Sequence, residues 1–203
     1  MPTERRIERV RRVLDLRQPD LRVVLESVTN AHNASAVMRT CDAAGVLHVH
    51  LIGSGPEALP VNTAISTQAD KWLDLHFHPS LADCLGELRK AGFQIAAACL
   101  EEGSLAHTEL DYTRPTAVIF GNEAEGTSRE AVEAADVRIK IPMLGMAQSL
   151  NLSVSVAVIL YEALKQRQAM GFFQGRRLSD EEFDRLRRRW LKPAPDGQSE
   201  TNS

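Results

Sequence analysis

Six short runs rich in branched apolar residues punctuate the chain: Leu21 to Val28, Val46 to Ile52, Trp72 to Phe77, Phe93 to Leu100, Thr116 to Phe120 and Val137 to Ile141. Runs this short and this apolar read as strands buried on both faces. Helical spacing fills the stretches between them, and the alternation predicts an α/β domain with a mainly parallel sheet flanked by helices. Arg5 to Leu16 sets Ile7, Val10, Val13 and Leu14 on one face with arginines on the other, and Gln18, Pro19 and Asp20 end that helix because proline lacks the backbone donor. Asn33 to Ala44 suits a second helix, closed by Gly45. Ser80 caps a third, which ends near Gly92 and carries Leu81, Cys84, Leu85 and Leu88 as its buried stripe. Thr127 with Glu130, and Ser179 with Glu182, have capping-box spacing; the latter pair opens a C-terminal helix with Phe183, Leu186, Trp190 and Leu191 on its apolar side. Leu152 to Leu160 alternates like a strand, yet no turn residue interrupts Ser149 to Met170, a length that suits a helix, so both readings stay open.

A chain of 203 residues with 43% hydrophobic content supports one core. The reading divides it into a basic N-terminal helix over 1–20, a body over 21–171, a basic helix over 172–192 and a tail over 193–203 whose composition predicts disorder. The N-terminal residues lack the apolar centre of a secretory signal, and no apolar run approaches the ~18 residues that a membrane helix needs, so a cytoplasmic protein with no membrane partner is expected. Cys41, Cys84 and Cys99 are an odd number at wide spacing and read as reduced thiols, mostly buried. His48, His50, His76 and His78 alternate on strand-like runs, but no acid or cysteine completes a ligand set at a recognisable spacing, so no metal is expected.

The net charge of −3 hides an asymmetry. Residues 1–17 hold six arginines against three acids, and residues 163–192 hold nine basic residues against four acids. Two basic arms on an acidic body can hold phosphates and release counterions; a solvated helix face is the plainer alternative.

Three segments hold residues suited to chemistry. In NAHNASAVMRTCDAAGV, Asn33 stands at a helix entrance, where it could simply be the N-cap. Arg39 follows on the same helix among small apolar residues, where an unpaired charge is costly; a salt bridge to a neighbouring acid would explain it equally well. FGNEAEG, Phe120 to Gly126, follows a buried strand, and its glycines allow a backbone to approach a ligand closely where open α/β sheets bind one; a plain strand-to-helix turn is the alternative. IPMLGMAQSLNLSVS, Ile141 to Ser155, places Gln148, Ser149 and Asn151 before a long apolar element, although capping needs only one of them.

Together NxxNxxAxxRTCDAxGV, FGxExxG and IPMxGMxQSLNxSVxxAxxLYEA, with RQPDL and DYTRPTAV, resemble the TrmH-type family of the SPOUT class of RNA methyltransferases. The resemblance covers most of Arg5 to Gly171. It implies a deep C-terminal trefoil knot, against the general rarity of knots, a homodimer with its active site near the subunit interface, and S-adenosylmethionine as methyl donor. On the matching positions, Ala98, Cys99, Leu100, Gly121, Asn122, Ile141, Met143 and Leu150 would surround the donor. Arg39 would be the catalytic arginine, with Asn33, Glu123, Ser149 and Asn151 arranging it and the ribose. The implied reaction is in-line attack of a ribose 2′-oxygen on the sulfonium methyl. Arginine, with a pKa above ~12, is an awkward base and a good alkoxide stabiliser and phosphate anchor. Within the family the compact form with basic ends fits enzymes that methylate the D-loop guanosine of tRNA. Arg9, Arg12, Lys165, Arg167, Arg176 and Arg188 are then the expected tRNA contacts. The rivals are a ribosomal RNA ribose methyltransferase and an RNA-binding protein that has lost catalysis; retention of Arg39, Glu123, Ser149 and Asn151 argues against the latter.

Overall fold

A computed structural model describes residues 2–53 and 69–192; the tail expected to be disordered lies outside the described residues. Chain order runs α1 (Glu4–Asp15), β1 (Leu21–Glu26), α2 (Ala31–Ala43), β2 (His48–Ile52), a 3₁₀ turn (Ala69–Trp72), β3 (Asp74–His78), α3 (Leu81–Lys90), β4 (Gln94–Ala98), β5 (Leu105–Ala106), β6 (Thr116–Phe120), α4 (Arg129–Ala134), β7 (Val137–Lys140), α5 (Leu152–Ala169) and α6 (Asp180–Trp190). The strands form one sheet in the order β3-β2-β1-β6-β4-β7-β5, and every pairing is parallel. The six expected strands are all present, and the sheet is wholly rather than mainly parallel. β5, two residues long, carries no pattern that a sequence could reveal.

Alternate residues of each strand feed opposite faces. Val23, Leu25, Val118 and Phe120 pack against α2 and α5 through Val37, Met38, Cys41, Val156, Ile159 and Leu160. On the other face Val24, Ala117 and Ile119 meet Leu81, Leu85 and Leu88 of α3 and Ala131 of α4. A third cluster joins the two ends of the described chain: Val10 and Leu14 of α1 pack with Phe183, Leu186 and Trp190 of α6.

The helix starts correct two expectations. α2 is capped by Asn30, whose side chain accepts from the amides of His32 and Asn33, so Asn33 lies inside the helix and its carboxamide is released for other work. α4 is capped by Ser128 rather than Thr127, because Ser128 accepts from Ala131 N while Thr127 turns toward the end of β4. The Ser80 cap and the Ser179–Glu182 capping box form as expected. Leu152 to Leu160 is helical, opened by the Asn151 cap. Gly45 ends α2 at φ +77, in the left-handed region, and a Cβ there would stand 2.9 Å from the Leu16 carbonyl oxygen at the end of α1.

Candidate active site

The sheet ends its β4, β6 and β7 strands at one cleft. Its walls are the segment after β4 (Ala98, Cys99, Leu100), the turn after β6 (Gly121 to Thr127) and the segment between β7 and α5 (Ile141, Met143, Gln148 to Leu150). The eight residues expected around a donor all line it, as do Glu123 and Ser149. Leu100, Ile141, Met143 and Leu150 supply apolar surface, with Leu100 62% exposed at the rim. Backbone closeness shapes the cleft. A Cβ at Gly121 would lie 2.0 Å from the Gly126 carbonyl oxygen, so only glycine fits there. This cradle, with apolar walls and strand-end backbone groups, fits a flat heteroaromatic ligand with a polar tail.

At the mouth of the cleft a hydrogen-bonded chain of side chains draws the three sequence segments together. Glu123 Oε1 accepts from the Asn30 backbone N–H at 3.3 Å and from Asn33 Nδ2 at 3.2 Å. Asn33 Oδ1 in turn accepts from Asn151 Nδ2 at 3.1 Å, while Asn151 Oδ1 accepts from both the amide and the hydroxyl of Ser153. Asn151 therefore caps α5 and orients Asn33 at once.

Arg39 stands apart. It is exposed, and among the described residues no hydrogen bond or ion pair engages it, which removes the salt-bridge reading. Six residues beyond Asn33, it lies ~9 Å further along α2 and on a different side of the helix, since each residue turns 100°. It does not line the cleft of its own chain.

Sequence reasoning missed the fasteners behind the cleft. Thr127 Oγ1 donates to the Ala98 carbonyl at 2.5 Å, tying the β6 turn to the end of β4. Ser128 donates to Glu26 from its amide at 3.0 Å and from its hydroxyl at 2.7 Å, tying the same turn to β1. Capping-box spacing at Thr127 and Glu130 drew attention to the right turn and the wrong bond.

The expected tRNA contacts divide. Arg9 and Arg12 are exposed on α1, and Arg188 is exposed on α6. Lys165 is exposed with Glu162 at 3.1 Å, and Arg176 is exposed, paired with Asp180 and laid over the Phe183 ring. Arg167 is a correction. It is fully buried, donates to Asp20 Oδ1 at 2.6 Å and to the Tyr112 carbonyl at 2.8 Å, and is an internal strut rather than an RNA contact. Burial lowers its pKa while Asp20 opposes that shift. On α6, Arg185 and Arg189 both bind Asp74, so part of the basic arm is spent inside the molecule.

The histidines are also better placed than their spacing suggested: Cys84 of α3 comes within 4.8 Å of His50 and His78, all three buried. Both His50 nitrogens and His78 Nε2 are already engaged. Arg22 faces His50 Nε2 at 3.4 Å, and because arginine only donates, His50 Nδ1 carries the proton that it gives to His78 Nε2 at 2.8 Å. Burial, aided by neighbouring rings and Arg22, pushes the His50 pKa down to about 2, and burial pushes the Cys84 thiol up to about 12. A metal ion beside the Arg22 guanidinium with a protonated thiol as ligand is poor metal chemistry, and His50 reads as a neutral packed ring.

Comparison with known proteins agrees with the geometry. The tRNA (guanosine(18)-2'-O)-methyltransferase of Thermus thermophilus is 46% identical over 190 residues, covering 94% of this chain and 97% of that one. The crystal structure of the A. aeolicus TrmH/SpoU tRNA modifying enzyme superposes with a TM-score of 0.87 at 43% identity, covering 92% of this chain and 95% of that one. The SpoU methyltransferase AviRb of Streptomyces viridochromogenes, solved in complex with AdoMet, has a TM-score of 0.67 at 28% identity over 75% of this chain and 60% of that one. Residues 20–161, which hold the sheet from β1 onward, all three walls of the cleft and the start of α5, match the profile of the SpoU rRNA Methylase family, and the chain belongs to that family.

Proposed function

We propose that this protein methylates the 2′-oxygen of guanosine 18 in the D-loop of tRNA, using S-adenosylmethionine. The carrying observation is the Glu123–Asn33–Asn151 chain standing at the mouth of the cleft formed by the strand ends. The cleft fits the donor: Leu100, Ile141, Met143 and Leu150 would clasp its flat part, and the glycine cradle at Gly121 admits the close backbone approach. When bound, the donor supplies an activated sulfonium methyl, so the protein's work is alignment and charge management. Asn33, Asn151 and Ser149 hold the ribose, and Glu123 holds Asn33 in place. A guanidinium at the 2′-oxygen stabilises the alkoxide that develops as its proton passes to solvent water.

That guanidinium is Arg39, delivered by the second subunit of a homodimer. Support comes from the surface. Leu152 to Tyr161 of α5 is mostly apolar, and Val154 and Tyr161 on it and Leu144 and Met146 in the segment before it are exposed, which is a surface that a second copy would cover. The same reading includes the trefoil knot, and it is supported by the segment from Ile141 to Leu150 sharing the cleft with the loops after β4 and β6. Arg9, Arg12, Lys165, Arg176 and Arg188 then meet tRNA phosphates. No described helix is long and apolar enough to cross a membrane, and the proposed setting is the cytoplasm.

The test is to incubate purified protein with labelled donor and a mixture of tRNA and ribosomal RNA, and to map the modified nucleotide. The expected product carries one methyl on the ribose of guanosine 18 of tRNA. Label confined to ribosomal RNA, or none at all, overturns the proposal.

A further inference from the structure

Asn122 lines the cleft and sits among the residues expected around the donor, yet its side chain is engaged elsewhere. Its Oδ1 accepts from the amides of Ala124 at 2.8 Å and Glu125 at 3.3 Å, and its Nδ2 donates to the Ser27 carbonyl at 2.8 Å. Its own carbonyl accepts from Gly126 N at 2.8 Å, closing the turn. The residue on either side matters. Glu123 follows directly and carries the carboxylate that holds Asn30 and Asn33. Ser27 has φ +52, which makes it the one described non-glycine residue in the left-handed region, and it lies three residues before Asn30, where the chain turns from β1 into α2.

One carboxamide therefore grips both sides of the Glu123 contact: the turn that presents the carboxylate and the bend that presents its partners. From this geometry we infer that Asn122 is a positioning residue, which fixes Glu123 against Asn30 and Asn33 and so sets the ribose-holding face of the cleft. The catalytic part of this inference rests on the function proposed above. Removing Asn122 leaves the fold in place, because Ser128 still fastens the turn to Glu26 and Thr127 still fastens it to Ala98.

Two measurements test it. The first uses donor-free protein and amide-proton exchange by NMR. The Asn30 amide donates to Glu123 and makes no hydrogen bond to Asn122, so it reports whether the contact between the bend and Glu123 stays closed. In Asn122→Ala the Asn30 amide should exchange as fast as in Glu123→Ala, to within about twofold; protection equal to the wild type overturns the inference, whatever the protein's activity. The second is a kinetic cycle. Asn122→Ala should lower kcat on the order of 10- to 100-fold, as misplacement by about an ångström does, with donor affinity changing much less. In a Glu123→Ala background the same substitution should cost less than about twofold, since coupled residues fail as a unit. Asn122→Asp keeps the acceptor for Ala124 and Glu125 and loses the donor to Ser27, and should recover part of the loss. Independent, multiplying losses overturn the inference. A wild-type protein that methylates no tRNA counts against the proposed function, and the exchange measurement then decides the structural claim alone.

Discussion

At the residue scale, two positions carry sharply different risks. Gly121 has no room for a side chain, since its Cβ would meet the Gly126 carbonyl carbon at 2.2 Å as well as the oxygen. Gly121→Ala must push the turn open, and donor affinity measured by calorimetry should fall by at least about tenfold, as a shifted wall in a close-packed site does; an unaltered affinity would mean that the cradle does not hold the donor. Arg39 is the opposite case, exposed and unpaired among the described residues. Arg39→Ala should leave folding and donor binding intact and abolish methyl transfer, and unchanged turnover would strip the residue of its role. The motif residues themselves were legible in the chain, because glycines in FGNEAEG and amides in NAHN and QSLN have few purposes so close together. The division of labour among them was not: whether Asn30 or Asn33 caps α2 depends on where the helix begins, a matter of one turn of backbone that no local pattern decides.

Among the elements, strands announced themselves through buried β-branched runs, and α5 did not, because a helix with apolar residues around most of its surface has no stripe to read. Internal charges were equally hidden, since Arg167 looks like any arginine of a basic helix until Asp20 is brought opposite it. Arg167→Ala should destabilise the fold by about 3 kcal/mol in urea unfolding, the lower end of the usual cost of stripping a buried pair, because Arg177 still faces Asp20. A loss well under 1 kcal/mol would show that the strut is dispensable. The rings on β2 make a second prediction. Burial holds His48 at about 3 and His50 at about 2, against about 6.5 in an unfolded chain. Between those limits the unfolded chain binds the extra protons, so stability is full above about pH 6.5 and declines as the solution is acidified, by at most about 1.4 kcal/mol per pH unit for each ring. Unfolding curves from pH 7 to pH 5 should show this slope, and His50→Gln should flatten it; a flat wild-type profile would contradict neutral burial.

For the whole molecule, the proposed second copy would account together for the exposed apolar residues of α5 and the segment before it and for the unpaired Arg39. Val154→Asp, at a position 46% exposed on α5, should yield a folded monomer by sedimentation that still binds donor and transfers no methyl; an active monomer would place Arg39 outside the reaction. The net basicity of the terminal helices was legible from the chain, but the share of it that faces outward was not, because Asp74 takes two arginines of α6 from a distant strand. The register of the sheet has a consequence for how the protein is made. Leu21 pairs with Thr116, whereas Val23 pairs with Val49. On a ribosome adding about 5–20 residues per second, β1 finds β2 early and then keeps its other edge vacant for about 3 to 14 s until β6 emerges, 68 residues after the end of β2. The nascent chain therefore carries an unsatisfied apolar strand edge through about a third of its synthesis, and slow translation of the segment between β2 and β6 prolongs the interval in which a chaperone has to guard it.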